Sequence, residues 1–386
     1  MTFEFSDRIK RLPPYLFAEL ETLAREKKRC GVDLISLSIG DPDLPPPPFI
    51  LESLKEEAGD PKNHNYSFSQ GEPSFRTAVT KWCKERFGVD LKNDQVIALL
   101  GSKEGIANTA RAFINPGDRV LVPDPAYPVY ANGSAILCDG KTVSIPLLEE
   151  NNFKPDFDTI NTEGAKMMFL NYPNNPTAAT VDKNFLKDAI DFAKEHNIIL
   201  CYDNAYSEIT YDGYRAPSIL EVDGAIDVAL EFHSLSKTFN MTGDRIAFAV
   251  GNKKLIDGLA KVKTQIDSGP PVYTQKVATK ALESYKSHEV PAFLKKNNQT
   301  LQERRDLLVT TLCKLGYEVE SPKATFYVWV NCKCDSMKFA AKLLDVGVAI
   351  TPGLGFGKCG EGYARITFTQ PKERIVEACN RIANLL

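Results

Sequence analysis

Residues 231–251 read E-F-H-S-L-S-K-T-F-N-M-T-G-D-R-I-A-F-A-V-G, with Lys237 near the centre. One apolar run, Ala225–Leu230, leads into this stretch and another, Ile246–Val250, leads out of it. Short apolar runs bounded by polar loops predict buried strands. The loop between these two carries hydroxyl residues, one lysine, a glycine and an arginine. An ammonium held between core strands is poorly solvated and, unless paired, is pushed toward the neutral, nucleophilic amine. That is the state in which a lysine condenses with a carbonyl. Ser234, Ser236 and Arg245 are placed to grip a phosphate beside it.

The same pattern repeats on the N-terminal side. A strand at Gln95–Leu100 ends in G-S-K-E-G at Gly101–Gly105, and a helix follows at Ile106–Phe113. A strand, a glycine turn and a helix start gather free backbone N–H groups and the positive end of the helix dipole, which makes an anion site. Ser102 and Lys103 would contact a phosphate there. The turn matches neither G-x-x-x-x-G-K-[ST] nor G-x-G-x-x-G, which argues against a P-loop or a dinucleotide fold. Next, the strand Arg119–Val122 runs into P-D-P-A-Y-P at Pro123–Pro128. Tyr127 therefore falls just past a strand's carboxyl end, where open parallel sheets bind ligands. Its ring either stacks on a flat heterocycle or packs in the core.

Lys166–Leu170 reads as a strand leading to N-Y-P-N-N-P-T-A at Asn171–Ala178, a turn around Asn175. After a helix at Phe185–His196, the strand Ile198–Tyr202 leads to D-N-A-Y at Asp203–Tyr206. A carboxylate at a buried strand end is costly without a cationic partner. Asp203 is thus either a helix cap or the counterion of a bound cation. Strand and helix alternate from Val96 to Val250, which predicts an α/β fold with a mostly parallel sheet covered on both faces.

The flanks predict a second, smaller unit. Pro13–Lys28 has Leu16, Leu20 and Leu23 at helical spacing, and Leu34–Ile39 is a strand ending in the turn G-D-P-D at Gly40–Asp43. Pro45–Pro48 is a semi-rigid connector. Helices are expected at Phe49–Glu57 and Ser74–Phe87, with the loop Asn65–Glu72, carrying Tyr66, between them. Beyond the lysine come a helix at Leu255–Lys263, a break at Gly269–Pro271, and a long helical stretch from Val272 to Leu315 interrupted near Lys296. Strands at Ala324–Val330 and Ala364–Thr369 enclose a helix at Met337–Leu344. The glycine-rich loop Thr351–Gly357 is suited to move with domain closure. The expected division is 1–45 and 276–386 in the small unit and 46–275 in the large one.

Composition narrows the function. The chain has 386 residues, 43% hydrophobic and 25% charged, with a net charge of −3. No basic footprint for nucleic acid is present, and no apolar run approaches the ~20 residues of a membrane span. The N-terminus carries early acids and no signal-peptide core. Nine scattered cysteines and only four histidines predict reduced thiols in the cytoplasm rather than disulfides or a metal site.

The stretch S-L-S-K-T-F-N-M-T-G-D-R-I resembles the lysine segment of the class I and II aminotransferases, the fold-type I enzymes that use pyridoxal phosphate. From Gly40 to Arg365 the family's landmarks follow in order. The resemblance implies a large domain built on a seven-stranded sheet and a smaller α+β domain drawn from both termini. It implies that Lys237 is the catalytic residue and holds the cofactor's aldehyde. Ser102, Lys103, Ser234, Ser236 and Arg245 would hold the phosphate, Tyr127 would stack on the ring, and Asp203 would meet the pyridine nitrogen. Tyr206 and Asn175 would reach the ring oxygen. Gly40, Asn175 and Arg365 would bind the substrate carboxylate, although from the residues alone Arg365 is a lone arginine on a strand. Tyr66 would reach the cofactor of a neighbouring subunit, which implies a homodimer with shared sites; otherwise it is an ordinary loop aromatic.

Three positions depart from the family pattern: Asp244 replaces an aromatic residue, Ala178 a glycine, and Ser69 an acid of the plant-type branch. Within the class, G-S-K-E-G and P-A-Y-P are most similar to the LL-diaminopimelate aminotransferases, which implies transfer from LL-diaminopimelate to 2-oxoglutarate in lysine biosynthesis. Aspartate, alanine or aromatic donors, and a β-lyase acting on sulfur amino acids, share the same landmarks. A regulator that senses the cofactor is disfavoured, because that class carries a DNA-binding domain ahead of the fold.

Overall fold

Seven strands form the central sheet, in the order β2 (Val96–Leu99), β8 (Ala247–Gly251), β7 (Ala229–Ser234), β6 (Ile199–Asp203), β5 (Ala165–Asn171), β3 (Arg119–Asp124) and β4 (Lys141–Pro146). These come from a computed structural model, which describes residues 2–14, 22, 25–27, 29, 31–286 and 289–385. Only β8 runs against the others, pairing antiparallel with β2 and β7. β2, β7 and β8 are buried at every residue, as expected of strands covered on both faces.

Alternate residues face two helical layers. Ile97, Leu99, Leu230, Phe232, Ala247 and Ala249 meet Ile106, Ala110, Ile256 and Leu259 from the helices Ser102–Phe113 and Lys253–Lys263. On the opposite face, Val96, Ala98, Phe248 and Val250 pack with Phe75, Val79 and Trp82 of the helix Pro73–Phe87. Farther along that face, Met168, Leu170, Leu200 and Tyr202 take Leu186, Ala189 and Ile190 of the helix Lys183–Glu195.

A three-stranded antiparallel sheet, β11 (Thr351–Pro352), β12 (Tyr363–Thr367) and β9 (Tyr327–Asn331), and a short parallel pair, β1 (Ile35–Ser36) with β10 (Val348–Ala349), form the smaller layer. Its helices are Ala292–Lys314, Ser336–Asp345 and Lys372–Leu385. The N-terminal helix Asp7–Lys10 lies elsewhere: Arg8 and Arg11 pair with Asp139, next to the turn Ile136–Cys138 beside the large sheet.

Some expected elements differ. The run Ala225–Leu230 is not one strand. Ala225–Val228 forms a helical turn after Gly224, whose φ is +84°, and β7 begins at Ala229. Composition alone does not separate the two states of a short apolar run. The long helix breaks between Leu282 and Ala292, not near Lys296. Pro291 is its N-cap, a place where a missing N–H costs nothing. The leucines of the expected Pro13–Lys28 helix (Leu16, Leu20, Leu23) lie outside the described residues. Several elements were not foreseen, among them the helix Asp7–Lys10, β10, β11, β4 and the C-terminal helix. In β4 only Ile145 is buried, so this edge strand has no apolar run to announce it. The helix Lys372–Leu385 buries Ile375, Ala378, Cys379 and Ile382.

Candidate active site

The carboxyl ends of β2, β3, β5, β6 and β7 and the amino end of β8 open onto one cavity of about 380 Å³. It is lined by Gly40, Ser102, Lys103, Tyr127, Asn175, Asp203, Tyr206, Ser234, Ser236, Lys237, Arg245 and Arg365. Arg365 reaches the cavity from within β12 (Tyr363–Thr367), Asp203 and Ser234 from the last positions of β6 and β7, and the others from a loop, a turn or the first turn of a helix.

β7 ends at Ser234, whose hydroxyl oxygen accepts the N–H of Ser236 at 3.2 Å and so caps the single helical turn Leu235–Thr238. That turn carries Lys237 inward. Lys237 Nζ donates to the carbonyl of Gly40 at 2.9 Å and lies 5.6 Å from the ring centre of Phe326. Burial pulls its ammonium down from 10.5 to about 8; Asp41 opposes this, and Arg365 and Arg245 add to it. Gly40 can sit this close only because it lacks a side chain: a Cβ there would fall 2.1 Å from the Tyr327 hydroxyl.

Asp203 closes β6. Its carboxyl is pushed up from 3.8 to about 6 by desolvation, against the hydrogen bonds it receives from Tyr130 and the Ala205 backbone. Tyr130 Oη donates to Oδ2 at 2.8 Å, while Oδ1 is buried without a partner. Tyr130 is itself fixed by stacking on Phe169, with ring centres 5.1 Å apart and planes at 16°. Tyr127, one turn earlier, meets Tyr130 edge-on at 6.2 Å and has Lys103 Nζ 5.7 Å from its ring centre. The Tyr206 hydroxyl lies 2.8 Å from that of Tyr327.

At the phosphate end, Arg245 adopts φ +52° and donates from Nη1 to the Thr242 carbonyl at 2.8 Å and from Nη2 to Leu100 at 3.3 Å. Gly101, at φ +96°, starts the helix Ser102–Phe113, and a Cβ on it would lie 2.2 Å from Arg245 Nη2. The two segments therefore meet only through a glycine. At the other end, Arg365 donates to Asn175 Oδ1 at 2.7 Å and to the Ser38 carbonyl at 2.6 Å, between the rings of Tyr327 and Phe356.

Tyr66 is the expected site residue that this chain does not bring to the cavity; it is 92% exposed. Among the lining residues that went unread in the sequence are Asp41, Tyr130 and Tyr327. Tyr130 follows Tyr127 at helical spacing, a signal that was available. Tyr327 could be found only from the return of the smaller layer.

The residues fit pyridoxal phosphate. A buried carboxylate oxygen without a partner suits a protonated ring nitrogen, the glycine-opened helix start beside Arg245 suits a phosphate, and Lys237 carries an amine of lowered pKa.

The family profile described as "Aminotransferase class I and II" matches residues 32–382. An LL-diaminopimelate aminotransferase of Aquifex aeolicus is 50% identical over 99% of both chains. One of Desulforudis audaxviator is 48% identical over 100% of this chain and 99% of its own. Among solved structures, a substrate-bound BacF from Bacillus subtilis superposes with a TM-score of 0.93 at 36% identity, covering 100% of this chain and 98% of the other. A Thermus thermophilus aspartate aminotransferase double mutant gives 0.93 at 28% identity over the whole of both chains.

Proposed function

The chain belongs to the class I and II aminotransferases, and from that footing we propose that it moves an amino group from LL-diaminopimelate to a 2-oxo acid such as 2-oxoglutarate, with pyridoxal phosphate as cofactor. The single observation that carries the chemistry is the placing of Lys237 Nζ, an amine held near pKa 8 where five parallel strand ends converge. The choice of donor rests on the names of relatives matched over nearly their whole length.

Lys237 would hold the cofactor's aldehyde carbon. Ser102, Lys103, Ser234, Ser236 and Arg245 would hold its phosphate, Tyr127 its ring face, Asp203 its ring nitrogen, and Tyr206 with Asn175 its ring oxygen. When bound, the cofactor withdraws electrons from the donor's α-carbon. Arg365 receives the donor's α-carboxylate in its planar fork, with Asn175 and the Gly40 backbone beside it. This orients the α-hydrogen toward Lys237. Once the donor's amine has replaced Nζ at the cofactor's aldehyde carbon, a neutral Nζ would take the α-proton and, as an ammonium, would deliver it to the former aldehyde carbon; a pKa near 8 supports both directions close to neutral pH. Asp203, ionised against a cation, keeps the ring nitrogen protonated.

We place the division between the two units at residues 45 and 275, and we place Tyr66 in the site of a second copy within a homodimer. The reading assigns the enzyme to lysine biosynthesis in the cytoplasm. The test is a donor screen on the cofactor-loaded enzyme with 2-oxoglutarate. Glutamate formed fastest from LL-diaminopimelate supports the proposal, and inertness on that donor with turnover of another overturns it. Release of pyruvate without glutamate would point to a lyase instead.

A further inference from the structure

The proposed roles leave one charged group of the cavity unused. Four cations line it: Lys103, Lys237, Arg245 and Arg365. Phosphate, the donor's amine chemistry and its α-carboxylate account for them. Two carboxylates line it, Asp203 and Asp41. Asp203 is buried, accepts a hydrogen bond from Tyr130, and would meet the cofactor's ring nitrogen. Asp41 is exposed at the mouth, and among the described residues its carboxylate makes no hydrogen bond or ion pair.

Its position is nonetheless fixed on both sides. Gly40, just before it, accepts the hydrogen bond from Lys237 and lies against Tyr327. Asp43, two residues on, receives a two-pronged pair from Arg304 at 2.7 and 3.0 Å, and the Arg304 side chain is 7% exposed. A bidentate arginine–carboxylate pair of this kind is a rigid anchor. Asp41 is therefore presented to the cavity from a short segment clamped at each end.

A donor whose α-carboxylate sits on Arg365 and whose α-carbon faces Lys237 must extend the rest of its chain toward the mouth. Among so many cations a distal ammonium would be repelled unless an acid met it there. We propose that Asp41 receives the distal ammonium of the donor and so selects a diamino acid over a mono-amino acid of equal length. This rests on the diaminopimelate reading and adds to it the group that recognises the far end.

The experiment compares two donors on the cofactor-loaded enzyme, LL-2,6-diaminopimelate and L-2-aminopimelate, which lacks only the distal amine. The quantity read is the ratio of their kcat/KM values, in which any effect of Asp41 on Lys237 cancels. Asp41→Asn is expected to lower that ratio on the order of tenfold or more, the usual worth of a hydrogen bond to a charged group. Asp41→Glu is expected to recover part of it, and thermal unfolding checks that both variants are folded. A ratio within about twofold of wild type in Asp41→Asn, whatever the absolute rates, overturns the proposal while leaving the diaminopimelate reading intact. A wild-type enzyme inert on LL-diaminopimelate but active on another donor overturns both.

Discussion

Tyr130 donates a 2.8 Å hydrogen bond to one oxygen of Asp203, and the other oxygen is buried with no partner. The acid is thus held in place but only half satisfied. In the cofactor-free protein its pKa of about 6 exceeds the unfolded value near 3.8. Asp203 therefore contributes stability below about pH 4 and loses it as pH rises through about 6. The swing is on the order of 3 kcal/mol. Urea unfolding of the cofactor-free protein between those pH values should show this slope, and Asp203→Asn should flatten it. Tyr130→Phe removes a bond that lowers the pKa, so the slope should extend to higher pH. No change in its pH range in Tyr130→Phe would mean the hydroxyl does not govern the acid.

Lys237→Ala should lower transamination by at least about a thousandfold, the scale of losing a general acid–base group that also holds the cofactor. A second readout is independent of turnover. After borohydride treatment the wild-type chain should gain the mass of the reduced cofactor, and the variant should not. Retention of that mass in Lys237→Ala would move the attachment to another lysine.

Gly101→Ala should weaken cofactor binding by about tenfold or more without unfolding the protein. The substitution places a methyl group on a residue at φ +96° and directs it to within 2.2 Å of Arg245 Nη2. Both effects fall on the phosphate end. Strain of this kind costs about 1–3 kcal/mol, and moving the guanidinium removes a charge-assisted contact. Equilibrium dialysis of the cofactor measures the loss; an unchanged affinity would show that Arg245 is not a phosphate ligand.

The sheet and most of the cavity were legible in the sequence because strands buried on both faces leave continuous apolar runs, and the ligand-bearing turns follow each of them. That reading was enough to single out Lys237 and Arg245, whereas it left Asp203 open between a helix cap and a counterion. Tyr327 and Arg304 did not announce themselves, since their significance lies in what the fold sets beside them, Gly40 and Asp43. β7 was expected to end at Leu230 rather than Ser234 because its second half includes Glu231 and His233, polar residues that a buried strand tolerates only with partners. Those partners, Asn204 and Ser218 on Glu231, come from elsewhere in the chain. The break before Ala292 was marked by Pro291, a signal present in the sequence but overridden by the helical spacing around it.

Tyr66 stands outside its own subunit's cavity and is almost fully exposed, so its proposed role requires a second copy, and this can be tested by complementation. Tyr66→Ala should be impaired and Lys237→Ala inactive. In a hybrid dimer of the two, one site combines an intact Lys237 with the intact Tyr66 of the other subunit, and the second site lacks both. If the tyrosine serves the partner, mixing and reassociating equal amounts of the inactive and impaired variants should restore about a quarter of wild-type activity, as half the dimers are hybrids with one good site. If the tyrosine serves its own subunit, or the protein works as a monomer, no hybrid contains a complete site, and mixing restores nothing beyond the residual activity of Tyr66→Ala. Sizing of the mixture under the assay conditions confirms that dimers have re-formed, which separates failed exchange from a role within one subunit.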